Sequence, residues 1–191
     1  TTIGELQGAN SARIEAIAEA LRAAGFPTSV SANMDAWLKT HVAEIIPTAC
    51  ALYMSGSDIE RLARTRDAWV LMVRAIREGF RVLEAQGIPI TPRSHRVFRW
   101  LPEPLLIAGL KRKLSGEGGR IKIGHAQQAR AEMQTIADEF RALIDKSGVA
   151  TPSLDTLGRY LVPDTEPVPD GSAEIPVRWA PIWIAGAGLD V

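Results

Sequence analysis

The chain is poor in most of the features that would announce a chemistry outright. It has one cysteine, Cys50, in 191 residues. A single thiol excludes a disulfide framework and a cysteine-based metal site, and it suits a reducing compartment. The three histidines, His41, His95 and His125, are scattered with no second ligand at a metal spacing, so no metal site is expected. An excess of charge of either sign is missing too, with 22 Lys and Arg against 22 Asp and Glu. A neutral chain has no electrostatic footprint for nucleic acid or anionic lipid, and neither is expected as a partner. Apolar runs such as Ala68 to Val73 fall far short of a membrane span. The opening TTIGELQG has neither a basic nor an apolar targeting region, so the expected localisation is cytoplasmic.

What is present is the composition of an ordinary globule, 46% apolar and 23% charged. Apolar periodicity predicts an all-α chain of six or seven helices, with at most a few short strands. Thr1 to Leu6 reads as a strand, and Asn10 or Ser11 caps a helix to about Ala24 with Ile14, Ile17, Leu21 and Ala24 inward. Thr28 to Val30 is a second extended piece. Ser57 and Glu60 form a capping box that opens a long helix to about Ala85. Val97 to Leu114 reads as two short helices broken at Pro102 and Pro104. The loop Ser115 to Arg120, SGEGGR, lacks the G-K-[ST] of a phosphate cradle. Gly124 and His125 open a further helix to Ser147, with Met133, Phe140 and Ile144 inward, and Pro152 to Leu161 is the last. Beyond Leu161 the segment VPDTEPVPDGSAEIP reads as a linker too polar and proline-rich to pack. It leads to an apolar tail whose Trp179 and Trp183 are expected to dock on this domain or on a second subunit.

The longest of these helices, Asn33 to Ser55, carries one lysine, Lys39, beside Trp37, Leu38, Val42, Ile45 and Ile46, and Pro47 is expected to kink it. A lysine drawn toward a core is a usable proton donor. The alternative is that its stem lies on the core while its ammonium stays in water.

Taken in order, TTIGEL, SARIEAIAEALRAAGFPTSVS, AWLKTHVA, REGFRVLEAQGIPI and AEMQTIADEFRALIDKSGVATP resemble the C-terminal domain of the ketopantoate reductase family, similar in turn to the C-terminal domain of 6-phosphogluconate dehydrogenases. The likeness covers residues 1–161 and leaves 162–191 as linker and tail. It implies the substrate-binding, catalytic half of an NADPH-dependent reductase of a 2-oxo acid or small ketone, with a place in pantothenate biosynthesis. NADPH would be held by an N-terminal Rossmann domain of the same polypeptide, absent from this chain, so the chain alone is expected to be inactive. Lys39 matches the family's proton donor to the ketone oxygen, and Glu132 its substrate-orienting carboxylate. Ala43 and Pro47 stand where the family places two substrate-binding asparagines, and Arg120 near a serine that contacts the substrate's acid end. Loss of both amides favours a substrate less polar than ketopantoate. The competing expectation is a helical dimerisation or interaction module that kept the fold and lost the chemistry.

Overall fold

In the computed structural model the described residues are all but Gln7, Ala9, 115–128 and 180–191. The chain is all-α, with one minimal sheet at its start. Strand β1 (Thr2–Ile3) leads into helix α1 (Ala12–Ala23), and β2 (Ser29–Val30) returns to pair with β1 in parallel. The strand at the start thus finds its partner within the chain. Gly4 permits the approach, since a Cβ there would stand 2.5 Å from the Ser31 carbonyl oxygen. Ser11 caps α1 by accepting the Ile14 N–H at 3.2 Å. Its buried positions are Ile14 and Ala18, whereas Ile17 is 43% exposed and Ala24 is exposed. The stripe is narrower than expected because α1 meets the rest of the chain along one edge.

Helix α2 (Met34–Met54) is capped by Asn33 and runs on through Pro47. Its N-terminal half buries Ala36, Thr40, Ala43 and Ile46, not Leu38, which is 40% exposed. Small residues take the buried face because α4 crosses there at close range. The next helix is two: α3 (Ile59–Arg64) and α4 (Arg66–Ala85), parted at Thr65, whose ψ of 92° is extended. The capping box shifts as well. Asp58 is the N-cap, accepting from the Glu60 and Arg61 N–H groups, while Ser57 adopts a left-handed φ of 59°.

Helix α4 is the hub. Every residue from Asp67 to Val73 and from Ala75 to Phe80 is buried, so it has no continuous solvent face. A 3₁₀ stretch (Arg93–Arg99), α5 (Glu103–Leu114), α6 (Arg130–Ser147) and α7 (Pro152–Gly158) with a final 3₁₀ turn (Arg159–Leu161) complete the body. The expected helix start at Gly124 and His125 lies outside the described residues.

Charged groups within this core are matched to backbone. Glu78 accepts the Ser153 and Leu154 N–H groups at 3.1 and 2.8 Å, filling the N-terminus of α7 after Pro152, which has no N–H to offer. Arg77 donates to the carbonyls of Phe98 and Leu101, and Arg74 grips Glu103 through two bonds of 2.8 and 3.0 Å.

The segment after Leu161 packs, contrary to the expectation of a free linker. Val168, Ile175 and Val177 lie against the core. The strap they belong to runs along α3, α4 and the start of α5. Trp179 at its end is 68% exposed, so it does not dock on this domain as expected; Trp183 lies outside the described residues.

Candidate functional site

Lys39 projects from the second turn of α2. Its Nζ donates to both carboxylate oxygens of Asp35, at 2.8 and 2.6 Å, and its side chain is 33% exposed. Asp35 precedes Lys39 by four residues, the spacing that brings two side chains together on a helix, and it sits in the positive first turn. The ammonium is therefore turned against a surface carboxylate, with the side chain partly exposed. Trp37 and His41, each two residues from Lys39 and so turned to another side of α2, stack with centroids 5.1 Å apart.

The other expected site positions do not join it. Ala43 is 1% exposed, and its Cβ would stand 3.0 Å from a Cβ built on Gly79 of α4. The face that would need two amides is thus closed by helix packing, and Pro47, four residues on, is buried in the same contact zone. Pro47 lacks the N–H that would bond the Ala43 carbonyl. Arg120 lies outside the described residues.

Glu132 is exposed on the first turn of α6 and is near enough to Tyr53, toward the far end of α2, for its negative charge to disfavour the phenolate. Burial is the main force pushing the Tyr53 hydroxyl up; Arg130 opposes it, and Cys50 and Glu132 add to it. The Arg130 guanidinium lies 4.0 Å from the Tyr53 ring centroid and donates to the Tyr160 carbonyl at 2.5 Å. Lys39 and Tyr53 are fourteen positions apart, or about 21 Å of helical rise. Lys39 and Glu132 therefore belong to opposite ends of α2 rather than to one cleft.

A second set of titratable groups lies on another side of α2. Glu44 accepts from Lys113 of α5 at 3.4 Å and faces His95 Nε2 at 3.6 Å, with His95 stacked on Phe80 at 6.2 Å. Periodicity could not find this set, because it joins three elements distant in sequence. Among the described residues no three His, Cys, Asp or Glu groups gather to hold a metal. No described helix is long and apolar enough to cross a membrane.

Comparison with known proteins adds one relative. The 2-dehydropantoate 2-reductase of Halobacterium salinarum is 36% identical over 93 residues, covering 48% of this chain and 30% of that enzyme. The match thus spans less than a third of the relative's length. No family model matches the chain, and no solved structure matches it.

Proposed function

We propose that this chain forms the helical, substrate-side part of a ketopantoate reductase-like oxidoreductase that reduces a 2-oxo acid or related small ketone using NADPH. The partial likeness to 2-dehydropantoate 2-reductase carries the reading. Lys39 is the group with the right chemistry. An ammonium within hydrogen-bond reach of a carbonyl oxygen stabilises the alkoxide that develops there and protonates it. Asp35, bonded to the same Nζ, keeps that ammonium oriented.

The start of α1 is a poor fit for a phosphate of NADPH. The strand-loop-helix passage from β1 to α1 is the natural place for a dinucleotide phosphate. Its helix N-terminus is already occupied by the Ser11 hydroxyl, which in turn donates to the Glu5 carboxylate at 2.6 Å. A phosphate would meet a carboxylate there. On this reading the cofactor is held by a separate nucleotide-binding domain, and the present chain contributes the proton donor and the substrate's surroundings.

The second reading is a helical interaction module without catalysis. The closure of Ala43 against Gly79 and the distance between Lys39 and Glu132 favour it. The two readings separate by assay of the polypeptide that carries both this chain and a nucleotide-binding domain. The oxidoreductase reading expects NADPH oxidation dependent on a 2-oxo acid, reduced about 10²–10⁴-fold by Lys39→Ala. The isolated 191-residue chain is expected to show none. An unchanged rate in Lys39→Ala would remove Lys39 from the chemistry, and the absence of turnover with any 2-oxo acid or ketone would leave the interaction module.

A further inference from the structure

We propose that the cleft between α6, α7 and the middle of α2 binds a small primary amine, its apolar body on the floor and its ammonium at Asp138. The inference is independent of the oxidoreductase reading. The cleft reaches α2 at Ile46, seven positions and about 10 Å of helical rise from Lys39.

The floor is apolar. Ile46 of α2, Phe140 and Ile144 of α6, Leu154 of α7 and Leu161 just beyond it meet there, and all five are buried. Two small residues keep these side chains from closing the gap between the helices. Ala137 of α6 offers only a methyl group, and Gly158 ends α7 with no side chain at all. The backbone does not demand glycine there, since its φ of −57° and ψ of −24° are helical. A Cβ built on Gly158 meets nothing within 4 Å. The missing side chain therefore leaves space rather than relieving strain. That space is about 160 Å³. A cavity of roughly 150 Å³ lined by Leu, Ile and Phe takes up benzene, so the cleft holds a body of about six carbons. Water is a poor occupant of such a floor, which gives it no hydrogen-bond partner.

The rim decides the charge of the occupant. Gln134, Asp138 and Arg141 of α6 and Asp155 of α7 surround the opening. Arg141 Nη1 donates to Asp155 Oδ1 at 2.8 Å, so these two neutralise each other. Asp138, three residues before Arg141, accepts from the neutral Gln134 amide at 2.9 Å. Among the described residues it has no cationic partner. The rim thus carries one uncompensated negative charge beside an apolar floor. A carboxylate ligand would be repelled by Asp138 and would compete with Asp155 for Arg141. A primary ammonium supplies the missing counter-charge within hydrogen-bond reach while its apolar body covers the floor.

The test uses the full chain and three probes that share a phenyl ring: benzylamine, protonated at neutral pH, benzyl alcohol and benzoate. In methyl NMR titrations, benzylamine should shift Ile46, Ile144, Leu154 and Leu161 saturably and leave distant methyl groups unmoved. It should bind about two- to fivefold tighter than benzyl alcohol, the range of one exposed ion pair, with benzoate weakest. Asp138→Asn should erase the advantage of benzylamine and leave benzyl alcohol unchanged. Gly158→Phe, which puts a ring into the open space, should abolish binding of all three. Benzoate binding as tightly as benzylamine overturns the proposal, as does an advantage that survives Asp138→Asn. Binding undiminished in a folded Gly158→Phe chain, shifts centred on other methyl groups, or no saturable binding overturns it too. Should Gly158→Phe not fold, the parent's methyl shifts and the Asp138→Asn comparison decide.

Discussion

Gly79 of α4 lies against Ala43 of α2 so closely that a Cβ on the glycine would stand 3.0 Å from the Ala43 Cβ and 3.4 Å from the Ala43 carbonyl oxygen. The contact sits one turn before Pro47, where α2 lacks a backbone donor. It sets how near the two longest helices of the core approach. It also decides that the face of α2 beyond Lys39 is packing surface rather than a polar cleft.

Enlarging either partner should therefore be costly and coupled. Gly79→Val is expected to destabilise the fold by about 1–3 kcal/mol through overpacking. Adding Ala43→Gly to it should recover part of that loss, a non-additive result in a double-mutant cycle followed by urea denaturation. Strict additivity would mean that the two residues do not share the contact.

Glu78 should matter to α7 more than to its own helix. Glu78→Leu leaves two buried N–H groups, those of Ser153 and Leu154, without an acceptor. The expected loss is about 1–3 kcal/mol for each such group. Hydrogen exchange should quicken first in Ser153 and Leu154. Exchange that quickens only in α4 would show that the carboxylate does not cap α7.

The strap should loosen in acid. Burial pushes the Asp67 carboxyl up, but the Ser172 hydroxyl and the Ile175 and Glu174 N–H groups, with Arg66, outweigh it and hold the carboxyl below its usual range. A depressed folded-state pKa contributes stability that is complete above the unfolded carboxylate pKa and is lost as pH falls through the folded value. Acidification below the ordinary carboxylate range should expose the amides of Glu174 and Ile175, and Asp67→Asn should flatten that dependence. A strap equally sensitive to acid in Asp67→Asn would point to another carboxylate.

Cys50 should be inert while the chain is folded. Burial pushes its thiol up to about 12, opposed only in part by Arg130. At pH 8 the native protein should therefore resist iodoacetamide, and urea should release one reactive thiol per chain. Alkylation at native conditions as fast as in urea would show that α2 opens around Cys50.

The proposed lysine shows where a local reading stops short of a site. Periodicity set Lys39 beside a face of Trp37, Leu38, Val42, Ile45 and Ile46, but of these only Ile46 is buried, and the small residues Ala36, Thr40 and Ala43 take the core face because α4 packs closely there. That the ammonium would meet Asp35 was legible, four residues upstream on the same helix. Where Glu132 would fall was not. Its neighbour Tyr53 is set by how α6 crosses α2, and no local pattern encodes a crossing.

The division for the whole chain follows the same line. Helix-forming periodicity, the Ser11 cap and the all-α class came from residues within a turn or two of one another, and local chemistry was enough to read them. The burial of Asp67, Arg77, Glu78 and Glu103 ran against every local signal, since a charged side chain in isolation belongs in water. Each is buried because a distant backbone supplies its hydrogen bonds: Glu174 and Ile175 for Asp67, Phe98 and Leu101 for Arg77, Ser153 and Leu154 for Glu78, and Arg178 for Glu103. Composition made 162–176 look like a free linker for the same reason. Its polar, proline-rich chain cannot bury itself, and only the tertiary structure supplies the partners that bury it.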